Sequence, residues 1–430
     1  MKEIIFILLV GMAGSGPLAN ASSPFFNNFL NSGHTEGTSA LLIQPPSPPK
    51  GGLIGRYTVN SVDLQSIPPS GGGPRSGPGA GGCFVTEVRG LSNQSIDTIK
   101  FYDGQQFTII GRFHSEKNYA RFPDKYENTL RKEVWSLGQH SAGISIRFRS
   151  NSPFIAVRWS VKNDAVMDHM PFTGIKGVDL YSLVDGKWKY INTGRVKGKS
   201  NEFMMVRGAG EDYREYLLNL PLYDGADTVS IGIASNASIT VPQDKHLISE
   251  KPVVYYGSSI AQGGCASRPG LLFTNILARS MDRPFINMGF SGNGTFDLSV
   301  GDALCETDAA LYVIDCNPNT RKELIYERAV ELVMKLHRER PDVPVLFVEA
   351  YPYVNGFTKP SDAENAKKNL ELKRAYESLR NAGIKNLYYR KGDDLIGYDY
   401  EGTVDGVHPN DIGMMRIAEA LEPTIRKLVK

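Results

Sequence analysis

Four short segments of this chain carry residue types that together could run acyl transfer. The first is Gly257-Ser258-Ser259-Ile260-Ala261-Gln262-Gly263. A serine in a tight turn between strand and helix can project its hydroxyl off a sheet, close to helix amide donors. Ala261 stands where a Gly-x-Ser-x-Gly elbow needs glycine, and the segment lacks both the lysine of a phosphate-binding loop and the third glycine of a dinucleotide fingerprint. The second segment, 287–294, includes Gly289, Gly292 and Gly294, whose amides can approach a ligand closely. The third, Asp315-Cys316-Asn317-Pro318-Asn319, offers the Asn317 amide as a neutral donor to an oxygen that gains negative charge. In the fourth, Asp405-Gly406-Val407-His408-Pro409, an aspartate three residues before a histidine can fix its tautomer and leave the other ring nitrogen to take a proton.

Each segment also has a plain structural reading: a helix cap, a flexible loop, an Asx turn before Pro318, a solvated turn. Taken in chain order they supply a nucleophile, two kinds of oxyanion donor, and a base with its orienter. That combination works only if the segments converge, and the surrounding pattern provides for it. From 251 onward, apolar runs at 252–256, 284–288, 311–314, 343–348 and 386–389 read as buried strands. Between and after them, 271–281, 322–340, 363–382 and 411–429 read as helices. Strands and helices in alternation predict a parallel sheet covered on both faces. Ligands of such sheets sit at the carboxyl ends of the strands, where all four segments fall.

Upstream the pattern is different. In 144–148 and 155–159 apolar and polar residues alternate, as in half-buried strands, with Asn151-Ser152-Pro153 as the turn between them. Asp185-Gly186 joins two further strand-like runs and suits a tight hairpin. Several short strands joined by turns predict an antiparallel β-sandwich over 96–248, followed by the α/β unit over 249–430. Residues 22–95 are rich in proline and glycine and read as a linker or disordered region. In 1–21, Lys2 precedes the apolar run from Ile4 to Val10, and Ala19-Asn20-Ala21 fits a cleavage site, so a signal peptide and a secreted or periplasmic product are expected. The run is too short to span a bilayer.

Composition excludes several classes. A formal charge of +2 over 430 residues gives no reason to expect a nucleic-acid partner. Seven histidines without an HExxH motif give no reason to expect a metal site, and Cys83, Cys265, Cys305 and Cys316 lack CxxC spacing. No cofactor is expected.

The C-terminal unit resembles the SGNH (GDSL-like) hydrolase superfamily in the blocks Gly257-Ser258-Ser259, Phe290-Ser291-Gly292, Cys316-Asn317 and Asp405-Gly406-Val407-His408. The resemblance implies a flavodoxin-like three-layer α/β domain in which Ser259 is the nucleophile, His408 the base and Asp405 its orienter. It further implies an oxyanion hole formed by the Ser259 amide, the Gly292 N–H and the Asn317 side chain. Ser258 stands where the common pattern has Asp, and Asp315 where the third block often has Gly. Gly177-Val178-Asp179-Leu180-Tyr181 is similar to the signature of the GxDLY domain, which precedes a subgroup of these hydrolases, and Ala266-Ser267-Arg268-Pro269-Gly270 looks like the same subgroup. The resemblance extends over about 100–430, with the sandwich jelly-roll-like. The alternating pattern favours structural strand roles for Asp179 and Tyr181 over substrate contacts.

These readings lead to an exported serine ester hydrolase working through an acyl-enzyme. Removal of acetyl groups from a glycan is the leading expectation, with a lipase or an acyltransferase as enzymatic alternatives. A non-catalytic glycan-binding protein on a hydrolase scaffold is the alternative of another class, and the intact Ser259, Asp405 and His408 speak against it. The expected partner is an acylated small molecule or glycan. Trp135, Trp159 and Trp188 could stack on sugar rings, although core packing is the commoner fate of tryptophan.

Overall fold

A computed structural model describes residues 98–358 and 361–429. The signal-like segment, Cys83 and the whole proline- and glycine-rich stretch 22–95 lie outside these residues.

The first half forms two antiparallel sheets. One runs in the order Ile99–Asp103, Ala226–Ala234, Phe154–Val161, Ser200–Arg207. The other runs Ile239–Thr240, Ser145–Ser150, Arg214–Asn219, Asp179–Val184, Lys187–Thr193, with Thr108–Ile110 also paired to Ser145–Ser150. Their inward side chains, among them Ile146, Phe148, Val157, Trp159, Leu180, Leu218 and Ile231, make one buried cluster. This is the predicted sandwich. At the predicted hairpin Asp185 and Gly186 both take positive φ, +53° and +70°, which a two-residue turn matched to strand twist requires. Trp159 is buried and donates its indole N–H to the Lys176 carbonyl at 2.9 Å. Trp135 and Trp188 pack partly buried against core clusters. The tryptophans therefore serve the interior.

The second half is a five-stranded parallel sheet: β1 Val253–Gly257, β2 Phe285–Gly289, β3 Leu311–Asp315, β4 Val345–Val348 and β5 Leu387–Arg390. The strand order 2-1-3-4-5 is that of flavodoxin-like folds, with the switch point beside β1. Side chains alternate strictly between faces. Val254, Tyr256, Ile286, Met288, Tyr312, Ile314 and Phe347 meet helices α3 Leu298–Glu306, α4 Lys322–Glu339 and α5 Ser361–Asn381. Val253, Tyr255, Phe285, Leu311, Val313 and Leu346 meet α2 Phe273–Met281 and α6 Asp411–Leu428. The short α1, Ser259–Gln262, caps the end of β1. Burial on both faces explains why the strands read as continuous apolar runs.

In the second half, helix α3 escaped the sequence reading. α3 contains Gly301 in its middle and Ser299, Asp302 and Cys305, all weak helix formers. Packing holds it in place: a Cβ on Gly301 would lie 2.8 Å from Leu332 Cδ1 of α4, so glycine permits the close approach of the two helices.

The described residues form one compact unit, and the polar anchors that join its halves include those of Arg121 and Asp179. Arg121 is fully buried and donates to the carbonyls of Leu137, His140 and Gly289 while its guanidinium lies over the Phe290 ring. Asp179 Oδ2 accepts from Arg268 Nη1 at 2.6 Å and from the Gly270 amide at 2.9 Å, and Asp179 Oδ1 accepts from Asn219 Nδ2 at 2.8 Å. Tyr181 Oη accepts from the same Arg268 Nη1 at 2.6 Å. The Gly177–Tyr181 motif is thus a clasp on the 266–270 loop, a structural role as its strand pattern suggested.

Candidate active site

The turn after β1 contains adjacent serines with separate duties. Ser258 is the N-cap of α1: its backbone is extended and its hydroxyl accepts from the Ile260 amide at 3.3 Å. The capping role in this turn is therefore filled by Ser258, and the Ser259 hydroxyl is left for another partner. Ser259 Oγ lies 3.0 Å from His408 Nε2. Tyr223, from the end of the sandwich, donates its hydroxyl to the Ser259 carbonyl at 2.9 Å, so the first half of the chain helps to hold this turn.

His408 is oriented from its other side. Its Nδ1 lies 2.7 Å from Asp405 Oδ2, and Asp405 Oδ1 accepts the amides of His408 at 2.7 Å and Val407 at 3.0 Å. Burial works to raise the pKa of Asp405, but these three donors outweigh it and hold the carboxyl at about 2. An ionised Asp405 keeps the imidazole proton on Nδ1 and leaves Nε2 as acceptor for the serine hydroxyl. The loop is pinned by Tyr351 Oη donating to the Val407 carbonyl at 2.5 Å and by the Cys265 amide donating to the Pro409 carbonyl at 2.8 Å. Gly406 takes φ +89°, and a Cβ there would meet Asn355 Nδ2 at 2.2 Å.

The two remaining predicted residues follow β2 and β3. Gly292 has φ +68° with open space where a side chain would stand. Among the described residues, neither its amide nor that of Ser259 donates to a protein acceptor. The flanking Ser291 amide is held by Gln262 Oε1 at 2.9 Å, and Gln262 Nε2 donates to the Leu222 carbonyl at 3.2 Å. Asn317 is buried, its Nδ2 donates to Asn369 Oδ1 at 2.6 Å, and its Oδ1 has no partner among the described residues. The Asx turn anticipated as the alternative is not formed by this side chain.

Arg121, Tyr223, Gln262, Tyr351 and Asn369, which hold these groups, were missed in the sequence because each acts through tertiary contact. Asn369 did leave a trace, for it lies three residues before Leu372 on the buried stripe of α5 that continues through Ala375 and Leu379. Asp315, at the end of β3, is buried against Tyr255, whose hydroxyl donates to Oδ2 at 3.2 Å. Burial pushes its carboxyl up to about 8 against the opposing effect of that bond. It is a neutral acid beneath the site at neutral pH.

The sheet order, with four motif blocks at the strand ends, defines an SGNH-type hydrolase. Residues 250–426 match the family model of the GDSL-like lipase/acylhydrolase family, and residues 99–239 match that of the GxDLY N-terminus of SGNH-hydrolase-type esterases. A crystal structure from Bacteroides ovatus ATCC 8483, assigned as a GDSL-like lipase, is 34% identical over 77% of this chain and 98% of its own, with a TM-score of 0.74. The chain belongs to the GDSL-like lipase/acylhydrolase family, and it is an esterase or acylhydrolase by class. The fold is shared with a salicylyl-acyltransferase from a tetracycline biosynthetic pathway at 18% identity over 79% of this chain and 96% of that one, TM-score 0.62. A looser likeness, TM-score 0.48 at 13% identity over 66% and 92% of the two chains, is to a family two carbohydrate esterase from Clostridium thermocellum. Among curated proteins none matches the chain.

Proposed function

We propose that this protein is an exported serine esterase that removes acyl groups, acetyl foremost, from a glycan through an acyl-enzyme on Ser259. The observation that carries the reading is the line of contacts from Ser259 Oγ through the His408 ring to Asp405, 3.0 Å and 2.7 Å. In the first step the Ser259 oxygen attacks the ester carbonyl while its proton passes to His408 Nε2. The carbonyl oxygen becomes an oxyanion, held by the Ser259 and Gly292 amides and by Asn317 Nδ2. Collapse expels the glycan hydroxyl, which takes the proton from His408. Water then gives its proton to Nε2, attacks the acyl-enzyme, and releases the acid with Ser259 restored.

Support for a sugar substrate comes from the loops flanking His408. Phe357 and Tyr400 are 79% and 64% exposed and meet edge to face with ring centroids 5.9 Å apart. The Val354 amide donates to the Gly406 carbonyl at 3.2 Å, which joins the loop bearing Phe357 to the one bearing the histidine. Exposed aromatic faces beside a polar site suit the apolar faces of sugar rings. Export rests on the N-terminal signal pattern, and among the described residues no helix is long and apolar enough to cross a membrane.

Para-nitrophenyl acetate and acetylated plant and mucin glycans, read by liberated acetate, test the reading. Wild-type hydrolysis that is lost in Ser259→Ala is expected. Unchanged turnover in that variant would remove Ser259 from the chemistry, and sugar binding without turnover would make the protein a binding module.

A further inference from the structure

Beside the Ser259–His408 pair lie two side chains to which acyl transfer gives no role. His169 belongs to the sandwich half, just before the short helix Phe172–Ile175, and Cys265 follows α1. One donor atom from each of His169, Cys265 and His408 lies within 4.8 Å of the other two. The two imidazole rings stand 5.5 Å apart between centroids, tilted by 47°.

Both histidines are oriented alike. His169 Nδ1 lies 3.0 Å from Asp168 Oδ1, and His408 Nδ1 lies 2.7 Å from Asp405 Oδ2. A carboxylate on one ring nitrogen fixes the tautomer and presents the lone pair of the other, which is how metal-ligating histidines are held. Cys265 is buried, and burial together with the Asp405 charge pushes its thiol up to about 12, so without a cation it is a neutral filler. Two imidazoles and a sulfur are the donors that Zn²⁺ prefers, and three protein ligands leave a fourth position for water. A dication would also balance the thiolate it creates and the nearby Asp405 carboxylate.

We propose that His169, Cys265 and His408 form a binding site for a thiophilic divalent transition ion such as Zn²⁺, whose occupation switches the esterase off. The inhibitory part rests on His408 being the base. The ion takes the Nε2 lone pairs of both histidines. The Cys265 S–H bond breaks, its proton leaves to the buffer, and a sulfur–metal bond forms. No group changes oxidation state. With Nε2 occupied, the Ser259 hydroxyl has no acceptor and the ester is not attacked. Since His169 comes from the sandwich half, the metal would also tie that half to the catalytic loop.

The test uses the full chain freed of metal by a chelator. Zn²⁺ is titrated against para-nitrophenyl acetate hydrolysis, each protein being normalised to its own metal-free rate, and Co²⁺ serves as the spectroscopic probe. Wild type is expected to lose activity reversibly and to show a thiolate-to-cobalt charge-transfer band. The inhibition midpoint is expected to rise at least about tenfold in His169→Ala and in Cys265→Ser, and the band to vanish in Cys265→Ser. Circular dichroism of the metal-free variants checks that they are folded, with Cys265→Ala as a second replacement. Equal midpoints in all proteins, or no cobalt band in wild type, would overturn the site. Absence of metal-free hydrolysis in wild type would instead sink the acyl-transfer reading, while the cobalt band would still decide the metal site.

Discussion

Asn369 Oδ1 accepts a 2.6 Å hydrogen bond from Asn317 Nδ2, and Asn369 is itself fixed at both ends of its amide by Ala350. Its Nδ2 donates to the Ala350 carbonyl at 2.9 Å, and the Ala350 amide donates to its Oδ1 at 3.1 Å. An amide NH2 has two hydrogens. Using one on Asn369 sets the plane of the Asn317 side chain and leaves the other for the oxyanion of the proposed mechanism.

The expected result is a graded pair of losses. Asn317→Ala removes the donor and should lower kcat by about 10²–10³. Asn369→Ala leaves the donor in place but free to rotate, so kcat should fall by a smaller factor, roughly tenfold, with KM almost unmoved. If the two asparagines act in series, the double variant will be no slower than Asn317→Ala. Multiplying losses in steady-state kinetics would mean that Asn369 acts on its own.

Asp405→Asn should cost about 10⁴ in kcat, because an amide NH2 facing Nδ1 would favour the proton on Nε2 and remove the acceptor from Ser259. Acid stability carries the same signature. The folded carboxyl sits near 2 against an ordinary 3.8. Its contribution to stability is therefore present above about pH 4 and lost as pH falls through 2. Thermal melts of wild type and Asp405→Asn should converge towards pH 2 and separate above pH 4. Separation at a constant distance across that range would count against the linkage.

Much of this was legible before the fold, and the parts that were not share a cause. The four blocks could be read because each is local: Gly257, Ser258 and Ser259 shape one turn, and Asp405 reaches His408 across three residues. The parallel strands could be read because burial on both faces makes them apolar throughout. Tyr223 beneath Ser259 and His169 beside His408 could not, because their neighbours lie dozens to hundreds of positions away. Metal-motif spacing is blind for the same reason to a cluster drawn from residues 169, 265 and 408. Helix α3 was hidden by Gly301, whose value lies in its contact with Leu332.

Asp315 yields a stability test that does not depend on activity. Its carboxyl titrates near 8 in the folded protein and at an ordinary 3.8 in the unfolded chain. Between those values the folded state keeps a proton that the unfolded state has released, so this residue's contribution is full below about pH 4 and declines as pH rises towards 8. Asp315→Asn cannot ionise, and it keeps an oxygen for the Tyr255 hydroxyl. Its melting temperature relative to wild type should rise steadily from pH 4 to pH 8. Parallel curves would show that Asp315 is ionised in the folded state.

Phe357 and Tyr400 should separate substrate recognition from chemistry. Each is open to solvent, so alanine at either position removes little packing. Loss of an aromatic contact of about 0.5–1.5 kcal/mol should raise KM for an acetylated oligosaccharide by roughly two- to tenfold. Para-nitrophenyl acetate has no sugar ring to stack on them, so its kcat/KM should stay level. Equal changes on both substrates would place the two rings in loop architecture rather than in sugar binding.

The clasp between the halves can be broken without touching the site. Asp179 has no solvent exposure and satisfies Arg268, Gly270 and Asn219 together. Asp179→Ala leaves a guanidinium, a backbone amide and a side-chain amide without their acceptor, a loss of about 3–5 kcal/mol for a buried pair broken on one side. Arg268 is partly exposed and can recruit water, which places the cost towards the lower figure. The 266–270 loop runs from Cys265 towards α2 and is also tied by the Ser267 amide and hydroxyl to Asp411, at 2.8 Å and 2.6 Å, at the start of α6. Hydrogen exchange should therefore speed up in this loop and around Asp411 in Asp179→Ala, with the sheet core unchanged. Exchange that increases only within the sandwich would mean that the motif supports its own sheet and does not clasp the hydrolase half.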